Sequence, residues 1–287
     1  MGLATLQELF GGPARLVRTV SVVGVLLAVL GAAGPLLFVL YTLVPWAPST
    51  SASPLVMPWS DPRHMQALAN SLWVAGGLTL VLTGGSAAIA LLFKHLALTG
   101  SPFIYALSAI PLLIPDFAFG VAARMVLDPS VGLLGQALPS TLLIDRPSAL
   151  LAVIMVAALK WLPVMTVVAD ASLASIPAGQ QAQILLDFRS FGRAVRLAYL
   201  PYMRGELLLV ASLSFLIGFR QHELAMELTA GGAGFVAELW SPWNHRQIFE
   251  FARLDQAALE ALFVLPLVLG IVLMIKSKAQ EMLRDDD

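Results

Sequence analysis

The chain of 287 residues is 58% hydrophobic and only 12% charged, with a mean hydropathy of +0.83. Soluble globular domains carry about 25% charged residues. This chain therefore cannot cover itself with a water-compatible surface, and we expect lipid to be its main solvent. The absence of cysteine excludes disulfides, cysteine-ligated zinc and iron–sulfur clusters. The net charge of −1 comes without a concentrated basic face, so we expect no nucleic-acid partner.

Six segments are apolar and long enough, at roughly 20 residues, to cross a bilayer. They run near Thr19–Val44, Ala67–Phe93, Phe103–Leu127, Ala149–Leu173, Leu207–Leu228 and Ala257–Ile275. Helices satisfy their own backbone hydrogen bonds in lipid, and these runs lack the short alternation of a β-barrel. The predicted fold class is an all-α membrane protein with six transmembrane helices. Its one domain covers 19–275, between a cytoplasmic segment over 1–18 and a cytoplasmic tail over 276–287.

Lysines and arginines predict the orientation of this bundle, because cytoplasmic loops carry an excess of them. With the N-terminus inside, the inner segments hold Arg15, Arg18, Lys94, Arg189, Arg193, Arg196, Arg204, Lys276, Lys278 and Arg284. The outer segments hold Arg63, Arg146, Arg246 and Arg253. We therefore expect a multi-pass protein of the cell's inner membrane with both termini in the cytoplasm. An aromatic belt is predicted at the outer boundary, formed by Trp46, Trp59, Trp240 and Trp243.

A polar stretch over 176–201 separates the fourth and fifth predicted spans. Most residues over 180–195 are good helix formers, and Pro177 and Pro201 bracket them. Arg189, Arg193 and Arg196 follow at helical spacing and share a face. Two interpretations of that face are open: it docks a soluble partner, or it follows the positive-inside bias and meets anionic lipid.

The polar stretch resembles the cytoplasmic motif of permease subunits of bacterial binding-protein-dependent ABC importers with the type I (MetI-like) fold. Three landmarks fall into register without gaps, because Ile176-Pro177, Asp187 and Leu200-Pro201 match the family's Ile-Pro, Asp-Gly and terminal Leu-Pro. Two positions depart from the family's pattern. Ala182 stands where the family usually has Glu, and Phe188 where it usually has Gly.

Other parts of the chain agree with this resemblance, which covers about 67–275. The stretch from Ile110 to Pro115, followed by Gly120, is similar to the third-span signature of these permeases. The stretch over 161–177 is similar to their fourth span and its exit. The stretch over 223–232 resembles a segment of the permeases for oxyanions, iron and thiamine.

The resemblance implies a coupling helix between spans four and five that docks in a cleft of a separate ATPase. The coupling residues it implies are Ala182, Gln183, Asp187, Phe188, Arg189, Gly192, Arg193, Leu200 and Pro201. The chain has no P-loop Gly-x-x-x-x-Gly-Lys-[Ser/Thr], so we expect ATP and magnesium to bind to the partner chain. As a permease subunit, this chain is expected to be no enzyme and to bind no cofactor itself. The implied partners are ATP-binding cassette ATPase subunits, a second permease (identical or related), an extracytoplasmic solute-binding protein and the lipid bilayer.

Ionisable residues inside the predicted spans are the candidates for a translocation path, since each costs roughly 2.5–3.5 kcal/mol at a helix centre. These are Asp116, Arg124, Arg220, His222, Glu223 and Glu227. Either they line the path or they pair between helices, and Arg220 is spaced to pair with Glu223 on one helix. We expect Lys160 and Asp170 to snorkel from the ends of their span.

The solute is less well defined by the sequence. The resemblance over 223–232 favours a small inorganic ion or a thiamine-like solute, and sugars and polyamines stay open. An alternative is an intramembrane enzyme that uses His222, Glu223 and Glu227, and another is a membrane scaffold. No metal site is predicted, because position 226 is Met where the His-Glu-x-x-His motif needs a second histidine.

Overall fold

A computed structural model describes residues 37, 39–41, 57–95, 106, 109–130, 132–177, 179–180, 183–184 and 190–284. Over these residues the chain is helical and has no strand. The helices are α1 (Pro62–His95), α2 (Ile110–Leu113), α3 (Asp116–Leu127), α4 (Arg146–Ala174), α5 (Phe191–Phe219), α6 (Glu223–Thr229), α7 (Trp240–Phe249) and α8 (Leu254–Arg284). Short 3₁₀ helices lie at Pro58–Ser60, Gly135–Ala137 and Ala233–Phe235.

Four of these helices are long and apolar enough to cross a membrane. They are α1 over Pro62–Lys94, all of α4, all of α5, and α8 over Leu254–Ile275. The predictions for the second, fourth and sixth spans are thereby confirmed as long apolar helices. The predicted first span lies outside the described residues except at 37 and 39–41, which are helical. The total of six spans stays a prediction.

The third predicted span is wrong as a single helix. It divides at Ile114-Pro115 into α2 and α3, and both residues have extended backbone angles (ψ 126° and 148°). Proline lacks an N–H and disfavours helical geometry in the residue before it, so the chain leaves the helix there.

The bounds of the fifth predicted span are also wrong. The helix begins at Phe191, well before the predicted Leu207, because Arg193 and Arg196 lower the hydropathy of turns that are nevertheless helical. It ends at Phe219. His222, with φ −129° and ψ −79°, interrupts the helical path before α6 begins.

The bundle is organised around α1, which packs against α4 and α5, while α5 packs against α8 and α6 against α3. Small residues allow the closest approaches. An added Cβ on Gly218 would lie 2.7 Å from the Cα of Ala75, and one on Gly77 would lie 2.6 Å from a methyl of Ile154. Substitution at Gly218 would push α5 away from the backbone of α1, whereas substitution at Gly77 would require the Ile154 side chain to move.

The bundle has two ends. We call the end beside the polar stretch the island end, because that stretch is a polar island between apolar helices, and we call the opposite end the distal end. The island end holds the last turns of α1 and α4 and the first turns of α5, beside the polar stretch. The distal end holds the first turns of α1, α4 and α8 and the connecting residues 128–145 and 220–253. Two hydrogen bonds join these distal parts, from the Gln66 amide to the Val236 carbonyl (2.9 Å) and from the Ala233 N–H to the Ile144 carbonyl (3.0 Å).

Two predictions about the outer boundary change with this arrangement. Trp243 is buried and donates to the carboxylate of Glu260 (3.0 Å), so it is not part of an aromatic belt. Arg124 and Arg220 belong to the distal end, since α3 ends at Leu127, shortly after Arg124, and α5 ends at Phe219, just before Arg220. The bias of positive charge towards the island end is therefore smaller than predicted, and the orientation stays a prediction.

Candidate functional site

A buried ion pair lies at the break between α2 and α3. Lys160 is halfway along α4 with 3% of its surface exposed, and its ammonium pairs with the carboxylate of Asp116. The same ammonium donates to the Ile114 carbonyl at 2.7 Å and lies 5.5 Å from the centre of the Phe119 ring. The expectation that Lys160 snorkels is wrong, because its charge is neutralised inside the bundle. Its mid-helix position was the signal that could have identified it as a site residue.

One face of α3 carries two of the predicted path residues, Asp116 and Arg124, and a third, Glu227 of α6, packs against it. Asp116, Gly120 and Arg124 follow at intervals of four and share that face. Helix α6 packs on it at Gly120, where an added Cβ would lie 2.9 Å from the Leu224 carbonyl oxygen and 3.0 Å from the Cβ of Glu227. Asp116 and Arg124 therefore lie on opposite sides of a tight contact between helices, which Glu227 helps to form.

A cavity of about 610 Å³ opens on the Arg124 side of that contact, at the distal end. The loop after α3 forms one wall and is folded around Asp128. Its carboxylate accepts from the Ser130 N–H (2.8 Å), and its carbonyl accepts from the Gly132 N–H (2.8 Å). The lining residues include the polar Arg124, Asp128, Ser130, Ser140 and Thr229 and the apolar Leu143, Ile144 and Leu228.

The remaining predicted path residues follow the end of α5 and do not lie inside a spanning helix. Arg220 and Glu223 are exposed, and the predicted pair between them on one helix is wrong because α5 ends before Glu223. His222 stacks on His245, with ring centres 4.9 Å apart. Burial and the neighbouring imidazole of His245 lower the pKa of His222. Within the described residues no three His, Asp or Glu side chains converge in a way that could hold a metal ion.

A buried polar network that the sequence did not reveal holds the distal end together. Asn70 is fully buried; its amide donates to the carbonyls of Val236 (3.0 Å) and Glu238 (2.8 Å), and its oxygen accepts from Arg146 (2.8 Å). These bonds join α1, α4 and the segment before α7. Asparagine in a long apolar helix was the available signal, since such a side chain needs partners.

An arginine–glutamate pair lies beside this network. Arg246 contacts the carboxylate of Glu238 at 2.9 Å, and its guanidinium is 3.9 Å from the centre of the Phe235 ring. Burial raises the pKa of Glu238 to about 7, because desolvation outweighs the attraction of Arg246. Phe235 itself has φ +65°, a strained value for a bulky side chain.

A second buried pair fastens α8 to the start of α1. His64 and Glu260 are both fully buried, with Nδ1 and Oε2 3.2 Å apart. Gln256 donates to the other carboxylate oxygen at 3.1 Å. Buried polar contacts therefore join the first turns of α1, α4 and α8 and the connecting residues at the distal end.

The island end has an apolar core of its own. Ile176 and Ile184 from the polar stretch pack with Leu173 of α4, Leu91 of α1 and Met203 of α5. The hydroxyl of Tyr202 and the side-chain oxygen of Gln180 are 3.0 Å apart. A force applied to the polar stretch would therefore reach three long helices at once.

Four of the predicted coupling residues, Ala182, Asp187, Phe188 and Arg189, lie outside the described residues. Gln183, Gly192, Arg193 and Leu200 are exposed at the island end, and Pro201 is half-buried. Exposure leaves them available to a partner. A coupling helix over the whole stretch stays a prediction.

A π-helical turn over Val195–Tyr199 joins this stretch to the rest of α5. The Leu200 N–H bonds to the Val195 carbonyl, five residues back, and Pro201 then has no N–H to offer. The wide turn allows α5 to continue through the proline, and such turns are frequent at functional sites.

Comparison with known proteins identifies a shared fold but no family. No family model matches the chain, and no curated protein matches it. One chain of a crystal structure of a bacterial ABC transporter involved in the import of the acidic polysaccharide alginate aligns with TM-score 0.70 and 15% identity, covering 93% of this chain and 95% of that one. One chain of a bacterial alginate ABC transporter in complex with an alginate pentasaccharide-bound periplasmic protein aligns with TM-score 0.73 and 15% identity, covering 98% of each. The fold is therefore shared over nearly the whole chain.

Proposed function

We propose that this chain is the transmembrane subunit of an ATP-driven importer, with a type I permease fold and a position in the cell's inner membrane. The observation that carries the proposal is the fold it shares with chains of two ABC importers, over nearly the full length on both sides. The four long apolar helices and the register of the polar stretch support it.

In this proposal the chain forms half of the translocation path and a second permease, identical or related, forms the other half. A separate ATPase binds ATP and magnesium, and closure of that ATPase moves the island end. The apolar contacts of Ile176 and Ile184 with three long helices would transmit the movement to the bundle. The bundle would then alternate between inward-open and outward-open states. A solute-binding protein would deliver the solute to the distal end.

The intramembrane-enzyme alternative requires His222, Glu223 and Glu227 to act on one substrate. Glu227 packs at Gly120, whereas His222 stacks on His245. No observation favours that alternative over transport. A membrane scaffold is distinguished from a transporter by the partners that copurify, since only the transporter requires an ATPase.

The sequence favoured a small inorganic ion or a thiamine-like solute, and the comparisons do not support that choice. Both solved structures concern alginate, which is an acidic polysaccharide. At 15% identity the solute of those transporters does not carry over to this chain. We therefore define the solute by the chemistry of the distal cavity below.

The coupling role is tested by substitution in the assembled transporter. Replacing Asp187 or Phe188 by a bulky charged residue is expected to lower solute-stimulated ATPase activity while membrane insertion is kept. A matched control replaces the exposed Leu133 at the distal end in the same way. Unchanged stimulation in both coupling variants would exclude the docking role of this stretch.

A further inference from the structure

We propose that the distal cavity recognises an organic solute carrying an anionic group, and that Arg124 is the residue that binds that group. The inference deepens the proposed function, because it rests on the chain being an importer subunit and names the class of solute. Nothing in the sequence distinguished Arg124 from the other candidate charges of the path.

The size of the cavity argues for an organic solute. About 610 Å³ would hold about 20 water molecules, at ~30 Å³ each. It falls within the range of roughly 300–1,000 Å³ that is typical of sites for small organic ligands. A single inorganic ion would occupy a small part of this space. Leu143, Ile144 and Leu228 supply an apolar wall, which a bare ion would not need.

The charges that face the cavity favour an anion. Arg124 lines it with an exposed side chain, and within the described part of the chain its guanidinium has no ion-pair partner. A guanidinium presents a planar fork of donors that matches carboxylate, sulfate or phosphate groups. The free donor set therefore suits an anionic oxygen group.

Among the described residues that line the same cavity, Asp128 is the acidic one, and its carboxylate accepts hydrogen bonds from its own loop. One carboxylate oxygen accepts from both the N–H (2.8 Å) and the hydroxyl (2.5 Å) of Ser130. These bonds disperse the negative charge into the loop, whereas the positive charge of Arg124 has no such partner among the residues that the structure describes. We therefore expect the potential in the cavity to be positive near Arg124.

The Gly120 contact sets the order of events for such a solute. Helices α3 and α6 are in close contact there, so a solute held at Arg124 is separated from Asp116. The cavity is thus a first binding site on the distal side of this contact. Helix α6 must move away from α3 before the solute can pass from Arg124 towards Asp116.

The absence of native cysteine allows a direct test on the full-length chain in lipid nanodiscs. Ser140→Cys places one thiol in the cavity wall, and Leu133→Cys places one on the exposed part of the same loop. Each is modified with an anionic sulfonatoethyl or a cationic trimethylammonioethyl methanethiosulfonate, at low salt to limit screening. The measured quantity is the rate of thiol modification by the anionic reagent divided by the rate with the cationic reagent, and this ratio is compared with that of the Leu133→Cys control.

We expect this ratio at position 140 to exceed that of the control, and to fall about fivefold when Arg124→Gln is added. That estimate treats Arg124 as a unit charge about 8 Å from the thiol in water, which attracts the anionic reagent and repels the cationic one. Arg124→Lys should keep most of the ratio. Arg63→Gln, which removes another exposed arginine of the distal end, should leave it unchanged.

Three results would overturn the inference: a ratio that Arg124→Gln does not alter, a preference for the cationic reagent, or no reaction with either reagent. The measurement requires neither ATPase nor solute. Its failure would therefore leave the importer assignment standing, and failure of the ATPase experiment would leave the charge preference of the cavity measurable.

Discussion

At the scale of single residues, Lys160 is the group whose role was predicted wrongly, although its mid-helix position was visible in the sequence. A lysine in the middle of a spanning helix is tolerated when its charge is neutralised and its donors are used. Asp116 and the Ile114 carbonyl meet both needs. Both groups are next to Pro115, where the helix is broken. The break therefore supplies the partners that a buried lysine needs, and the lysine neutralises the carboxylate at the break.

Lys160→Met is expected to lower the free energy of unfolding by about 3 kcal/mol. This is the low end of the range for breaking a buried pair, because 32% of the Asp116 side chain is exposed. The double variant with Asp116→Asn should recover at least half of the loss, since no unpaired charge then stays. Denaturant titration of the purified chain measures both. A double variant less stable than Lys160→Met alone would contradict the pairing.

Glu238 predicts a dependence of stability on pH. Its pKa of about 7 in the folded chain lies above the ordinary value of 4.5, so the folded state holds a proton that the unfolded state has lost. Stability should therefore be highest below about pH 4.5 and fall as pH rises through 7, by an amount on the order of 1–3 kcal/mol. Thermal melts between pH 5 and 8 measure the slope. Glu238→Gln should flatten it, and an equal slope in that variant would remove Glu238 as the cause.

At the scale of elements, the contact of α3 with α6 depends on the lack of a side chain at Gly120. Gly120→Ala is expected to cost about 1–3 kcal/mol, because its Cβ would meet the Leu224 backbone at 2.9 Å. Gly76→Ala is the matched control. Within the described part of the chain, a Cβ built there meets no atom within 4 Å apart from its chain neighbours and the nearby backbone of its own helix, so alanine should be neutral or stabilise α1 by up to about 1 kcal/mol. Equal denaturation midpoints for the two variants would contradict the contact.

Helices α1, α4 and α8 could be predicted because each is a long apolar run whose composition alone identifies it. The errors arose where local geometry overrides composition. Hydropathy continues across Ile114-Pro115 although the helix does not, and it drops at Arg193 and Arg196 although the helix continues. Both errors have the same physical cause. Hydropathy indicates whether a segment prefers lipid or water, whereas the bounds of a helix depend on backbone hydrogen bonding, which a proline or a π-turn changes.

At the same scale, the charged members of the candidate site other than Lys160 could be predicted from the sequence, but their arrangement could not. Asp116, Arg124 and Glu227 were found as charges in apolar segments, and the structure places them around one face of α3. Their separation by the Gly120 contact depends on how α6 packs after the break at His222. No spacing in the sequence encodes that packing.

At the scale of the whole molecule, two ends with different chemistry are joined by an apolar bundle. The distal end is fixed by buried polar contacts, such as those of Asn70 and Glu260, and holds the cavity. The island end is held by apolar contacts and exposes Arg193 and Gln183. This division suits the proposed importer subunit, which would receive solute at the distal end and be moved by an ATPase at the island end.

The central claim is that the island end contacts a separate ATPase, and cross-linking in membranes of the native cell tests it most directly. Gln183→Cys and Leu133→Cys each give the chain a single thiol, at the island end and the distal end respectively. After attachment of a thiol-linked photo-cross-linker, we predict that position 183 captures an ATP-binding subunit and that position 133 does not. Capture of that subunit from position 133, or from neither position, would contradict the account.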